Sequence, residues 1–142
     1  MRAWLRPVLR CLRQRQGVSA GEFALLAPIL LTLAFGAVDL GRAFSLSMQL
    51  EEAAHSGTLY ATSFPNDTTG ITSVVNGNLT GITATVSVPA TRCECSGAVV
   101  GCDTSCSAGM ARYLTISISS TFNGYLYPRS RTLTGDATLR YQ

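Results

Sequence analysis

Lysine is absent from this 142-residue chain, histidine occurs once, and charged residues make up only 13% of it. Without lysine no Ser/Lys dyad can form, and one histidine cannot supply a His-x-x-x-His pattern. Gly-x-Ser-x-Gly and phosphate-loop motifs are missing as well. The lone His55 falls beside Glu51 and Glu52 on a helical stretch, where a solvated polar face accounts for it. With no set of residues for catalysis, the expectation is a protein that is not an enzyme and takes no cofactor.

Acid is missing from residues 1–17, which carry Arg2, Arg6, Arg10, Arg13 and Arg15. The overall charge of +3 therefore conceals two parts. Residues 18–142 hold six arginines against eight acids, a net charge of −2. The basic character belongs to an N-terminal arm placed before an apolar segment, which argues for a membrane and against nucleic acid. By the positive-inside rule the arm stays in the cytoplasm and the remainder crosses.

Charge is missing again from Phe23 to Val38, sixteen residues in all. As a helix these reach about 24 Å, short of the roughly 30 Å hydrocarbon layer. Counting from Val18 gives 21 residues, which reach about 32 Å. A spanning segment of 18–38 therefore includes Glu22, an acid that a plain anchor would exclude.

Beyond Asp39 the helical pattern continues with a different composition. Ala43, Leu46, Leu50, Ala53, Gly57, Tyr60 and Phe64 recur at steps of three and four, one apolar stripe that Pro65, Asn66 and Asp67 end. Ile71, Val74, Val75 and Leu79 suggest a short amphipathic helix. The period then drops to two: Ile82, Ala84, Val86 and Val88; Leu114, Ile116, Ile118 and Phe122; Leu133, Ala137, Leu139 and Tyr141. Three strands with one apolar face each form an antiparallel sheet, and that face must be buried. The stripe on residues 43–64 is its partner. The expected fold is α+β: a long N-terminal helix, its inner half transmembrane and its outer half amphipathic, packed on a small antiparallel sheet of about three strands. The parts are a basic arm (1–17), a transmembrane helix (18–38), an outer helix (39–64) and an exported α+β domain (65–142). Two loops stand out, 92–110 with its glycines and cysteines, and 123–130 with Pro128.

Of five cysteines, Cys11 lies in the arm, on the side where thiols stay reduced. Cys93, Cys95, Cys102 and Cys106 cluster on the exported side, in an oxidising compartment. Four thiolates on zinc is the alternative, but Cys-x2-Cys knuckles are lacking. Two disulfides are expected and no metal. Cys93 and Cys95 are too near in sequence to pair with each other, which leaves 93–106 with 95–102, or 93–102 with 95–106. The nested pair suits a hairpin-like loop.

Glu22 also bears on what the N-terminus signals. A secretory signal peptide would not set an acid at the edge of its core, although Ala34-Phe35-Gly36 offers a weak cleavage site. No lipobox cysteine follows the apolar run, and a simple signal anchor leaves Glu22 unexplained. Gly17, four residues and then Glu22-Phe23 resemble a type IV prepilin cleavage site, in the Gly-x4-Glu-Phe/Tyr form of tight-adherence (Tad/Flp) pili. The resemblance continues through Glu22-Phe23-Ala24, then Asp39, Gly41 and Arg42, then Ala53, Ala54, Gly57, Tyr60 and Ala61. Together these look like the N-terminal region of TadE-like minor pseudopilins, and they cover about residues 17–61. Leu40, where an aromatic is common, and Gly21 depart from the pattern.

The resemblance implies a pilin-like fold and a non-catalytic structural subunit that helps assemble or initiate a Tad-type adhesion pilus or type II-like secretion filament. It implies that a prepilin peptidase cuts between Gly17 and Val18 on the cytoplasmic side. Glu22 and Phe23 would then serve recognition and assembly. Implied partners are other pilins and pseudopilins and the Tad assembly platform of the inner membrane. The implied location is that membrane, single-pass, with the C-terminal domain outside the cytoplasm. The alternative is a membrane-anchored exported binding module with no pilus role. Independently of the family, cutting at Gly17 would leave an ammonium on Val18, one helical turn from Glu22. A carboxylate at the membrane edge costs much less when paired than alone.

Overall fold

The computed structural model describes residues 18–107, 109–126 and 130–141. Helix α1 runs Val18–Ser63 and helix α2 Thr68–Asn78. Five strands follow: β1 (Ala84–Ser87), β2 (Arg92–Cys95), β3 (Ala98–Val100), β4 (Met110–Phe122) and β5 (Arg131–Tyr141). The architecture is α+β and pilin-like, a long apolar N-terminal helix with a small antiparallel sheet and a disulfide-bonded loop. The chain forms two compact units that meet between Leu40 and Gly41. The basic arm and Pro128 lie outside the described residues.

In the first unit the helix is apolar on every side. Phe23, Leu25, Ile29, Leu33, Phe35 and Val38 are all more than half exposed. A helix apolar all round is one that lies in a core or in a bilayer. α1 is long and apolar enough to cross a membrane, and none of its most apolar stretch is buried. Pro28 lies inside this helix and cannot donate a backbone hydrogen bond. The Thr32 hydroxyl donates to the Pro28 carbonyl at 2.7 Å.

The second unit is built on β4. β5 pairs with β4 along its whole length, from Phe122↔Arg131 to Arg112↔Tyr141. The other edge of β4 is shared end to end by β1 (Val86↔Ile118) and β2 (Cys93↔Arg112). Between Ser87 and Arg92 the chain carries one residue more than β4 does opposite, and Pro89 sits in that break. Proline has no N–H for a ladder, so the strand divides there.

Leu114, Ile116 and Ile118 of β4 are buried, as the period of two requires. They form one core with Leu50, Ala53, Ala54 and Ala61 of α1, Ile71 and Val75 of α2, and Leu79 just beyond it. Glycine permits two close approaches. A Cβ on Gly57 would fall 2.6 Å from Val75 Cγ2 and 2.9 Å from Ile116 Cδ1. A Cβ on Gly135 would fall 2.5 Å from the backbone of both Leu50 and Glu51. Helix α1 thus lies directly on the main chain of β5.

Three expectations need correction. The sheet has five strands, not about three, because the cysteine-rich loop folds into the β2–β3 hairpin. Its turn is Ser96-Gly97, at φ 51° and 83°, the paired positive angles that match the twist of a two-residue hairpin. Phe64 is not on the buried face but 56% exposed, because α1 ends at Ser63. The buried face is also wider than one stripe, taking in Ala54, Thr58 and Ala61, because α2 adds a second wall beside the sheet.

Candidate functional site

The first candidate is the start of α1. Gly17 lies outside the described residues, and Val18 is the first residue of the helix. Glu22 follows one turn later, the i,i+4 spacing at which an ammonium on Val18 and the carboxylate come together. Glu22 is exposed, and so are Phe23 and Leu25, at 65% and 78%. The acid therefore stands in an otherwise apolar, outward-facing setting that extends as far as Val38.

The second candidate is the cysteine cluster. Cys93 is bonded to Cys102 and Cys95 to Cys106. Of the two pairings left open, the structure has the crossed one, and the preference for a nested pair is corrected. The cause is the hairpin register. Cys93 faces Val100 across β2–β3, so two residues farther on Cys102 comes alongside Thr91, with its sulfur 3.5 Å from the Thr91 carbonyl oxygen. Cys102 is thereby next to Cys93, and the returning chain brings Cys106 to Cys95. All four sulfurs are held in disulfides, which replaces the zinc reading. Among the described residues no three His, Cys, Asp or Glu side chains gather where a metal could sit.

Closing loops with separations of 9 and 11 residues stabilises the fold by about 2.7 kcal/mol each in the chain-entropy model. Two overlapping loops give less than the sum.

A third group ties the end of α1 to the start of α2. The Asp67 carboxylate caps α2 by accepting from the Gly70 N–H at 2.9 Å, and it accepts the Tyr60 hydroxyl at 2.9 Å. The Gly70 N–H first, and the Tyr60 hydroxyl second, hold the Asp67 carboxyl below its ordinary range. The hydrogen bond to Asp67 pushes the Tyr60 phenol up, with burial and the carboxylate charge adding to it. Gly70 is required here, since a Cβ would collide with Asp67 and the Tyr60 ring. At the other end of α2, the Asn78 side chain donates to Ser56 Oγ at 3.1 Å.

His55 is exposed and lines an open groove of about 420 Å³ with Glu51, Thr58, Asp136 and Thr138. The groove joins an outer face of α1 to β5. One contact escaped the sequence reading. The Arg42 guanidinium lies 5.5 Å from the Phe122 ring centroid and 4.5 Å from that of Tyr125. The signal available for it was a tyrosine-bearing loop after a strand ending in Phe122, with nothing to say which cation it would meet.

The family model described as TadE-like protein matches residues 17–58. The match begins at Gly17 and covers the whole apolar run and the first part of the outer helix. Over these residues the chain is similar to TadE-like proteins, which supports a protein associated with the Tad pilus and with a membrane. Neither the curated proteins nor the solved structures contain a match to the chain.

Proposed function

We propose that the protein is a minor pseudopilin, a non-catalytic subunit that helps assemble or initiate a Tad-type pilus or secretion filament after prepilin-peptidase cleavage between Gly17 and Val18. The observation that carries this reading is the TadE-like match starting at Gly17, with Glu22 at the head of an all-round apolar helix. The peptidase takes Gly17 because a residue without a side chain lets the backbone enter a narrow site. The arm stays cytoplasmic, residues 18–38 cross the inner membrane, and residues 39–142 are exported. The disulfides suit that oxidising side.

Glu22 is the assembly residue in this scheme. Paired with the Val18 ammonium of its own or a neighbouring helix, it offsets the cost of a carboxylate at the membrane edge. The size of the exported unit favours a minor or initiating subunit over a major one.

The intact mass of membrane-extracted protein tests the scheme directly. A pseudopilin loses residues 1–17, whereas a simple anchored binding module keeps them. Gly17→Leu should retain the arm and still insert, and a normal mature mass from that variant would sink the proposal. Glu22→Gln keeps the size and removes the charge. It should be cut at least in part yet be depleted from crosslinked pseudopilin complexes. Losing one partner of a desolvated pair costs about 3–5 kcal/mol, more than a hundredfold in docking at about 1.4 kcal/mol per decade. Wild-type recovery in complexes after normal processing would deny the carboxylate an assembly role.

A further inference from the structure

The contact between Arg42 and the two aromatic rings bears on where the exported unit rests. Arg42 follows Val38, the last residue of the uncharged run, by four positions, and four residues of chain reach at most about 14 Å. Phe122 ends β4 and Tyr125 lies in the β4–β5 connection, three residues on. Arg42 thus meets that end of the sheet only a few residues along the chain from where the apolar run stops.

The groups gathered there have a particular composition. Tyr125 is 75% exposed, and Leu126 beside it in the chain 45%. Aromatic rings with a polar tip, together with arginine, are what membrane–water interfaces collect. The rings sit at headgroup depth, while arginine lays its stem along apolar surface and keeps its charge in the polar layer. A cation near the surface also favours anionic headgroups. The opposite end of β4 differs, carrying the Arg92–Glu94 ion pair and the disulfides.

We infer that Arg42, Phe122, Tyr125 and Leu126 form a membrane-interface anchor that seats the exported unit on the phospholipid headgroup layer. This rests on the reading that residues 18–38 cross a membrane.

The test uses the full chain in vesicles of mixed phosphatidylcholine and phosphatidylglycerol. The natural tryptophan is removed by Trp4→Phe, and a reporter is introduced by Tyr125→Trp, which keeps an aromatic ring for Arg42. Val99→Trp is the reference. Val99 is 65% exposed, and it stands opposite Glu94 and hence level with Ala111 across β2, about 36 Å along the strand direction from Phe122 at roughly 3.3 Å per residue. Lipids brominated near the headgroup should quench the tryptophan of Tyr125→Trp severalfold more than that of Val99→Trp, with a blue-shifted emission. Adding Arg42→Gln should reduce that difference. Equal quenching of the two reporters in protein that floats with the vesicles would overturn the anchor alone. Protein that does not float would overturn the membrane-crossing reading and the anchor with it.

Discussion

Replacing Gly135 with alanine places a methyl carbon where helix α1 already lies. The new Cβ would stand 2.5 Å from both Leu50 C and Glu51 N, and 2.8 Å from Leu50 Cβ. Ordinary contact between such atoms is about 3.5–4.0 Å, so α1 and β5 must part by roughly 1 Å. Neither side can yield by rotating a side chain, because the two nearest atoms are backbone. A gap of that size forfeits about a quarter to a half of each contact across it. The side chains affected are Leu50, Leu114, Ile116 and Ile118, all fully or almost fully buried. Overpacking typically costs about 1–3 kcal/mol, and the rigid backbone puts Gly135→Ala near 3 kcal/mol. For a unit of this size that lowers Tm by about 12–24 °C. Gly77→Ala is the control, since a Cβ at that helical position meets nothing within 4 Å and should stabilise by about 0.4–1 kcal/mol. The assay is thermal unfolding of the detergent-solubilised full chain with its disulfides intact, followed by near-ultraviolet circular dichroism. If Gly135→Ala melts with wild type while Gly77→Ala melts higher, the close helix–sheet approach is refuted.

Two other perturbations have defined outcomes. The lowered Asp67 carboxyl contributes stability that is present above the ordinary carboxylate value of about 3.9 and is lost as pH falls through its lower folded value. Asp67→Asn, which can still cap α2, should therefore flatten the acid limb of the urea midpoint against pH. The raised Tyr60 phenol acts at the other limb, its contribution being complete below about 10 and lost as pH rises through the higher folded value. Tyr60→Phe should flatten that limb, and acid or alkaline slopes equal to wild type would contradict the Tyr60–Asp67 contact. For the disulfides, Cys95→Ser should release one thiol that peptide mapping places at Cys106, with a loss of about 2.7 kcal/mol; a thiol at Cys102 would restore the nested pairing.

The helix stripe and the strands were legible because each carries a period of its own. Leu114, Ile116 and Ile118 alternate cleanly, and Leu50 and Ala53 fall one helical step apart. β2 and β3 were missed because four and three residues are too short for a period to register. The alternation was nevertheless present in Cys93 and Cys95, and Ser96-Gly97 was a turn signal between them. The crossed disulfides followed from that hairpin and could not be reached without it. Gly135 shows a different limit. In the sequence it interrupts the alternation of Leu133, Ala137 and Leu139, yet it occupies the buried position of the strand. What fills its place is the backbone of a helix some eighty residues earlier in the chain, and no local pattern carries that information.

The candidate site at the N-terminus was legible for the opposite reason, since its signal is a violation. Glu22 contradicts the apolar run around it, and nothing within the described chain resolves the contradiction, because Phe23 and Leu25 beside it face outward. The resolution must come from the environment or from processing. Under the proposed cleavage one cut makes two electrostatic changes. It removes five arginines, each worth about 1 kcal/mol of attraction to an anionic cytoplasmic surface. It also creates an ammonium one turn from Glu22. Before the cut the helix is held by its arm and carries an unpaired acid. After it the hold is gone, and several kcal/mol of attraction to the anionic surface with it, while the acid has a partner close by that lowers the cost of keeping it at the membrane edge. An anchor without Glu22 would lose its hold on cleavage and gain nothing in return. Under the proposed cleavage, the acid is what gives the processed helix a charge pair in place of its arm, and that pair favours docking beside another such helix.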